Sequence, residues 1–283
     1  MLNKKTFSER IIFIIIFVLF AIYAFTLIYP FLWLFINSFK MDVEFRANSF
    51  ALPKRWIFAN YFDAITYVHK GYTIFNMFIN SVINVVIIVV SNMFFQCCTA
   101  YVLSKYKFRF RKMIYNVALI IMVVPSIGST AATFNLWHDI GIYDNYISIL
   151  IMGASGFGSG FLLLYATFAN LSWTYAEAGF IDGASHFKVF IKIMMPQVMP
   201  VMVSLMIITA IGVWNDYYTP YMYMPSYPTI AVGLFEIQAN AMYKQQFPLF
   251  FSLMIISIIP VLLIFILMQN TIMQNVTAGG IKG

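Results

Sequence analysis

The chain has 283 residues, of which 62% are hydrophobic and 10% charged. A water-soluble domain carries about 25% charge because its surface faces solvent, so a soluble globular fold is excluded and lipid is the expected surrounding medium. The net charge of +7 does not indicate nucleic acid, because the basic residues sit in short clusters between apolar runs.

Crossing the hydrocarbon takes about 20 apolar residues in a helix. Six stretches reach that length: near 11–36, 76–104, 113–136, 146–169, 198–222 and 249–274. The first follows Lys4, Lys5 and Arg10, as a secretory signal would. It is longer than the roughly 7–15 residues of a signal core and lacks a small-residue cleavage site, so retention is expected. Pro30, Pro125 and Pro260 fall within or near spans and are read as packing kinks. Cys97 and Cys98 are adjacent inside an apolar run, where thiols act as small hydrophobes. Gly153, Gly156, Gly158 and Gly160 in the fourth span are read as close helix packing through Gly156-x-x-x-Gly160. Residues 1–283 are expected to form one membrane domain.

Orientation follows from the basic residues. With the N-terminus in the cytoplasm, the inner segments hold 11: Lys4, Lys5, Arg10, Lys105, Lys107, Arg109, Arg111, Lys112, Lys188, Lys192 and Lys282. The outer segments hold 6, five of them in the long loop 37–75, and long loops translocate largely regardless of charge. The expected fold is therefore an all-α membrane protein of six transmembrane helices. Both termini are cytoplasmic, and so is the polar loop of about 170–197 between helices 4 and 5.

That loop carries the strongest signal. Thr174 and Glu177 have capping-box spacing, so a short helix is expected to begin there. Asp182-Gly183 reads as the turn that ends it. A second helix is expected from about Ala184, with Phe187, Phe190, Ile191 and Met194 on one face and Lys188 and Lys192 on another, and Pro196 ending it. An amphipathic helix pair of this kind suits either the lipid surface or a groove on a partner.

Glu177-Ala178-Gly179, Gly183 four residues beyond Ala178-Gly179, and Ile193-Met194-Met195-Pro196 after nine more residues resemble the cytoplasmic motif of type I ABC importer permeases. The family's pattern is Glu-Ala-Ala, Gly and Ile-x-Leu-Pro, so Gly179 and Met195 are departures. Asp182-Gly183-Ala184 is similar to the sugar-permease branch. Tyr29-Pro30, Trp33, Ser38-Phe39-Lys40, Asn80-Ser81, Ala100-Tyr101, Trp214-Asn215-Asp216 and the ending Thr277–Gly283 extend the likeness to maltose-type permeases over nearly the whole chain.

The resemblance implies a bacterial plasma-membrane subunit of a carbohydrate importer. Its implied partners are a second, homologous permease, two ABC ATPase subunits and an extracytoplasmic solute-binding protein. Glu177, Ala178, Gly179, Asp182, Gly183, Ile193 and Pro196 would couple to the ATPase, with Asp182 capping the second helix or bonding the loop backbone. The chain has no G-x-x-x-x-G-K-[ST] loop, so ATP and Mg are expected on the partner ATPase and no cofactor on this chain. Asn215, Asp216, Tyr217 and Tyr218 are candidates for the substrate pathway, because polar and aromatic groups suit sugar hydroxyls and sugar faces. A carboxylate within a span is expected to face the bundle or water, and a structural break in span five is the competing reading for Asp216. His69, His138 and His186 form no metal set, and no catalytic pair is apparent. An ion- or proton-coupled secondary transporter is the rival class, although such proteins place more charge within their spans.

Overall fold

A computed structural model describes residues 7–124, 128–244 and 246–278, and it is almost wholly helical. Four helices among the described residues are long and apolar enough to cross a membrane: Glu9–Ser38, Ile74–Lys105, His186–Asn215 and Phe247–Gln269. They correspond to the first, second, fifth and sixth expected spans. The other two expected spans are each divided in two. Instead of a helix over 113–136 there are α5 (Arg111–Val123) and α6 (Ser129–Asp139). Instead of one over 146–169 there are α7 (Tyr146–Gly153) and α8 (Ser159–Asn170). Pro125 and the ending Gly279–Gly283 lie outside the described residues.

The chain divides into two compact units. The first contains residues 1–69 and 236–258, with α1 (Phe7–Ser38), α2 (Asp42–Ala47) and α3 (Ala59–Thr66). Pro30 lies inside α1 without ending it, and the apolar residues of α1 from Ile11 to Leu32 are uncovered by the rest of the chain. Lipid or a partner must therefore cover them.

From the last turns of α1 onward, an aromatic cluster takes over. Phe39 meets Phe35, Trp56, Phe58 and Tyr61 at centroid distances of 5.0–5.1 Å, and Trp33 packs edge-on to Phe45 and Phe251. Lys40 is enclosed beside this cluster and donates to the Asn48 carbonyl at 3.0 Å. Burial holds its pKa below the usual lysine range, against the opposing pull of Glu44. In the same unit His69 Nε2 and Glu236 Oε2 lie 2.9 Å apart.

The second unit contains residues 70–235 and 259–283. Its axis is α4 (Ile74–Lys105), started by a Thr73–Asn76 capping box and packed against α7, α8 and α11 (Met195–Asn215). Helix α13 (Ile230–Lys244) was not legible as an element. It buries Ile230 and Val232 and brings Gly233 against the Met77 sulfur. The last helix, α14 (Phe247–Ala278), begins in the first unit and continues into the second, running through Pro260.

The glycines of 153–160 act in packing, as read, but across a helix break rather than along one helix. A Cβ on Gly160 would lie 2.4 Å from Gln96 Oε1, and one on Gly156 would lie 2.8 Å from Thr99 Cγ2. Thr99 Oγ1 donates to the Gly156 carbonyl at 2.6 Å, a side chain satisfying backbone freed by the break.

At Gly153 an added Cβ would lie 3.1 Å from the Ile88 Cα, which is backbone and cannot turn aside. Gly153→Leu should therefore destabilise the chain by about 1–3 kcal/mol through overpacking. Gly212 has open space around it, so Gly212→Leu should leave stability nearly unchanged. Thermal unfolding in detergent measures both.

Candidate functional site

The loop 171–197 folds as a helical elbow. Helix α9 spans Thr174–Ile181 and α10 spans His186–Val189. A π-helical turn, Phe190–Met194, leads directly into α11. The Thr174–Glu177 capping box does not form: the N-cap is Trp173, with no side-chain cap. Ser172 takes up the role locally, its Oγ accepting from the Thr174 amide at 3.3 Å and lying 2.7 Å from Thr174 Oγ1. Glu177 is left exposed in the first turn, where the helix dipole favours a carboxylate.

The turn is closed by a Schellman pair. Ala184 N–H donates to the Gly179 carbonyl at 2.9 Å and Gly183 N–H to that of Phe180 at 3.0 Å, with Gly183 at φ +76°. Glycine reaches this conformation without the Cβ penalty that other residues meet. Asp182 does not cap the second helix. Ser185 does, accepting from the Lys188 amide.

Gly179, one of the two departures from the family pattern, is buried where α9 packs on Val189 and Ile193. A Cβ there would lie 2.5 Å from Ile193 Cδ1 and 3.0 Å from Val189 Cγ2. The glycine weakens α9 locally but lets it nest against its neighbour.

Pro196 does not end the second helix. Residues 186–215 run as one apolar helix, with the π turn just before the proline. Met195 N–H reaches back to the Phe190 carbonyl, five residues away. Pro196 has no N–H and its ring crowds the carbonyl four residues earlier, and the wider π turn accommodates both defects.

The buried face differs from the expected stripe. Val189, Phe190 and Met194 are enclosed with Tyr101 and Phe168, whereas Phe187 is exposed. Tyr101 stacks on Phe190 with centroids 4.8 Å apart, and Tyr106 bonds His186 Nδ1 at 3.0 Å. Lys105 donates to the Leu171 carbonyl. The elbow is thus fixed by one face to α4 and α8, while Glu177, Ala178, Asp182 and Gly183 are exposed on it.

The other predicted group lies at the end of α11. The helix stops at Asn215, and α12 (Tyr218–Tyr223) follows. Asp216 Oδ1 accepts from the Thr219 amide at 3.1 Å, which fits the structural-break reading of this carboxylate. Asn215 donates to the Ile211 carbonyl at 2.8 Å. Tyr217 stacks on Phe235 at 4.4 Å and 19°, and Tyr221 meets the same ring edge-on at 5.6 Å. Tyr217, Tyr218, Tyr221 and Phe235 are all exposed, so the break presents an aromatic shelf beside Asn215 and Asp216. Sequence reasoning missed Phe235, because α13 was not recognised as a helix, and Tyr221, because the expected span ran unbroken through it to 222. Among the described residues no cluster of His, Cys, Asp and Glu could hold a metal.

Residues 97–277 match the family described as binding-protein-dependent transport system inner membrane component. The diacetylchitobiose uptake system permease protein NgcG of Streptomyces coelicolor is 28% identical over 92% of this chain and 86% of its own length. The probable starch degradation products transport system permease protein AmyC of Thermoanaerobacterium thermosulfurigenes is 27% identical over 89% and 91%. The melibiose/raffinose/stachyose import permease protein MelC of Bacillus subtilis is 24% identical over 99% of both. The crystal structure of a bacterial ABC transporter involved in the import of the acidic polysaccharide alginate shares the fold, with a TM-score of 0.80 at 23% identity, covering 94% of this chain and 98% of that one. The chain belongs to the binding-protein-dependent inner membrane transport components, and it is a multi-pass transport subunit rather than an enzyme.

Proposed function

We propose that this chain is one of two homologous permeases in a carbohydrate importer driven by two separate ABC ATPase subunits, which hold the ATP and Mg, and fed by an extracytoplasmic binding protein. The observation that carries the coupling role is the continuity of the elbow with α11. The helix entered at His186 runs to Asn215, so a push on the exposed side of α9 and α10 moves a whole span as a rigid body. Glu177 offers an exposed carboxylate to a basic or amide group of the ATPase. Gly183 sets the angle of the elbow, and the Ile193–Pro196 segment joins it to the span.

Six crossings fit the helices if α5 with α6 and α7 with α8 each cross as a broken pair. Broken helices are tolerated at membrane depth where protein encloses them. The basic loop 105–112 bonds to the elbow through Lys105 and Tyr106, which supports a common cytoplasmic side for both by the lysine and arginine distribution. On that assignment both termini are cytoplasmic. The relatives named for chitobiose derivatives, starch products and raffinose-type sugars support an oligosaccharide substrate, and the aromatic shelf at Tyr217 and Tyr218 suits one.

The test is reconstitution of the co-purified complex in proteoliposomes with its binding protein. ATP hydrolysis should rise with a cognate oligosaccharide, and uptake should stop when ATP is withdrawn. Uptake that continues on an ion gradient without ATP would assign the chain to secondary transport instead.

A further inference from the structure

We propose that the groove between the last turn of α4 and α10 binds an anionic phospholipid of the surrounding bilayer, with an acyl chain on its apolar walls and the phosphate at Lys107. The groove encloses about 560 Å³, and its walls include Tyr101, Val102, Phe108, Phe187 and Phe190, with Lys107 as the lining cation. That volume lies in the range of small-molecule clefts, roughly 300–1,000 Å³. The groove opens where α4 ends as an apolar span, the depth at which chain and headgroup regions of a lipid meet. Val102 and Phe187 are exposed beside it.

The electrostatics select the occupant. Two of the five basic residues in 105–112 have internal partners: Lys105 donates to the Leu171 carbonyl, and Arg111 donates to the Ser104 carbonyl and the Tyr165 hydroxyl. Arg109 lies over the Phe110 ring at 5.6 Å and is exposed. Lys107 and Lys112 are exposed and form no hydrogen bond or ion pair among the described residues. Glu177 and Asp182, the acids of the elbow, pair with neither. A zwitterionic lipid brings its own cation beside its phosphate and would leave the local positive charge uncompensated, and a free phosphate would leave the apolar walls wet. Apolar walls with the unpaired Lys107 among them match one ligand class, an anionic amphiphile.

The assembled importer, in nanodiscs of equal phosphatidylglycerol and phosphatidylcholine, should retain phosphatidylglycerol preferentially when released for native mass spectrometry. Lys107→Gln should lower that retention by about fivefold. Val102→Trp, which fills the groove, should lower it while the ATPase subunits still co-purify. Equal retention of the two lipids, or retention unchanged in either variant, overturns the assignment. So does a Val102→Trp importer that sheds its ATPase instead of its lipid, because the groove would then be a protein interface.

Discussion

An importer carrying Glu177→Ala and Gly183→Val in this subunit should lose about 100-fold in coupled uptake. Two local effects combine. A charge-assisted hydrogen bond accepted by an exposed carboxylate contributes about 1.5–3 kcal/mol. Forcing an L-residue into the left-handed conformation costs about 1–2 kcal/mol, at a position where φ is +76°. Each 1.4 kcal/mol is a factor of about ten, so the lower ends of the two ranges together come to about two orders of magnitude.

The fold should survive this pair of changes. Glu177 is exposed, and an added Cβ at Gly183 meets nothing within 4 Å, so no core group is displaced. Affinity purification through the permease, with the ATPase scored on gels, separates two ways of failing. An ATPase that is lost, or one that is retained but hydrolyses without uptake, supports docking at the elbow. Uptake equal to that of the unaltered importer would remove the docking assignment.

The long uniform helices were the most legible part of the fold, and the reason is physical. α1, α4 and α14 follow the apolar runs closely, because an apolar run in lipid has only the helix to satisfy its backbone. The divided spans were not legible. Hydropathy registers apolar length, whereas the break at 154–158 packs against Thr99 and Gln96, which belong to another helix.

The elbow shows the same division. Its glycine turn was readable at Gly183, since positive φ demands that residue. The identity of the caps was not: Ser172 and Ser185 hold the helix starts where Thr174 and Asp182 were expected. Spacing alone does not decide which of several adjacent hydroxyls and carboxylates has the extended backbone a cap requires. Pro196 was read as a stop because a proline in an α-helix removes a bond and crowds a carbonyl, and no local signal announced the π turn that absorbs it. Phe187 was placed on one apolar stripe with Phe190 and Met194 from helical periodicity, whereas the face buried within the chain is turned toward Val189 and leaves Phe187 exposed. A periodic pattern in a helix as short as α10 tolerates that rotation.

Tyr217→Ala combined with Phe235→Ala should reduce uptake by about tenfold while hydrolysis stimulated by the loaded binding protein continues. A span that stops at Asn215 and restarts at Tyr218 leaves backbone groups that lipid cannot satisfy. On the proposed substrate pathway the break faces protein or water, and the Asp216 bond to the Thr219 amide fixes its local geometry. The stacked Tyr217–Phe235 pair, with Tyr221 edge-on, offers a flat apolar face for the C–H side of a sugar ring. Asn215 and Asp216 lie next to it for the hydroxyls. Such ring pairs contribute about 0.5–1.5 kcal/mol beyond the area they bury, and the upper end is about tenfold in a rate limited by passage. The elbow is untouched by these changes, so ATPase docking and stimulation should be preserved, which separates this defect from the uncoupled one. Asp216→Asn keeps an acceptor for the Thr219 amide and should transport nearly normally, whereas Asp216→Ala loses a cap worth about 0.5–2 kcal/mol. Uptake unchanged in the Tyr217–Phe235 double variant would show that the sugar passes on the other permease, and the shelf would then be a packing surface between the two subunits.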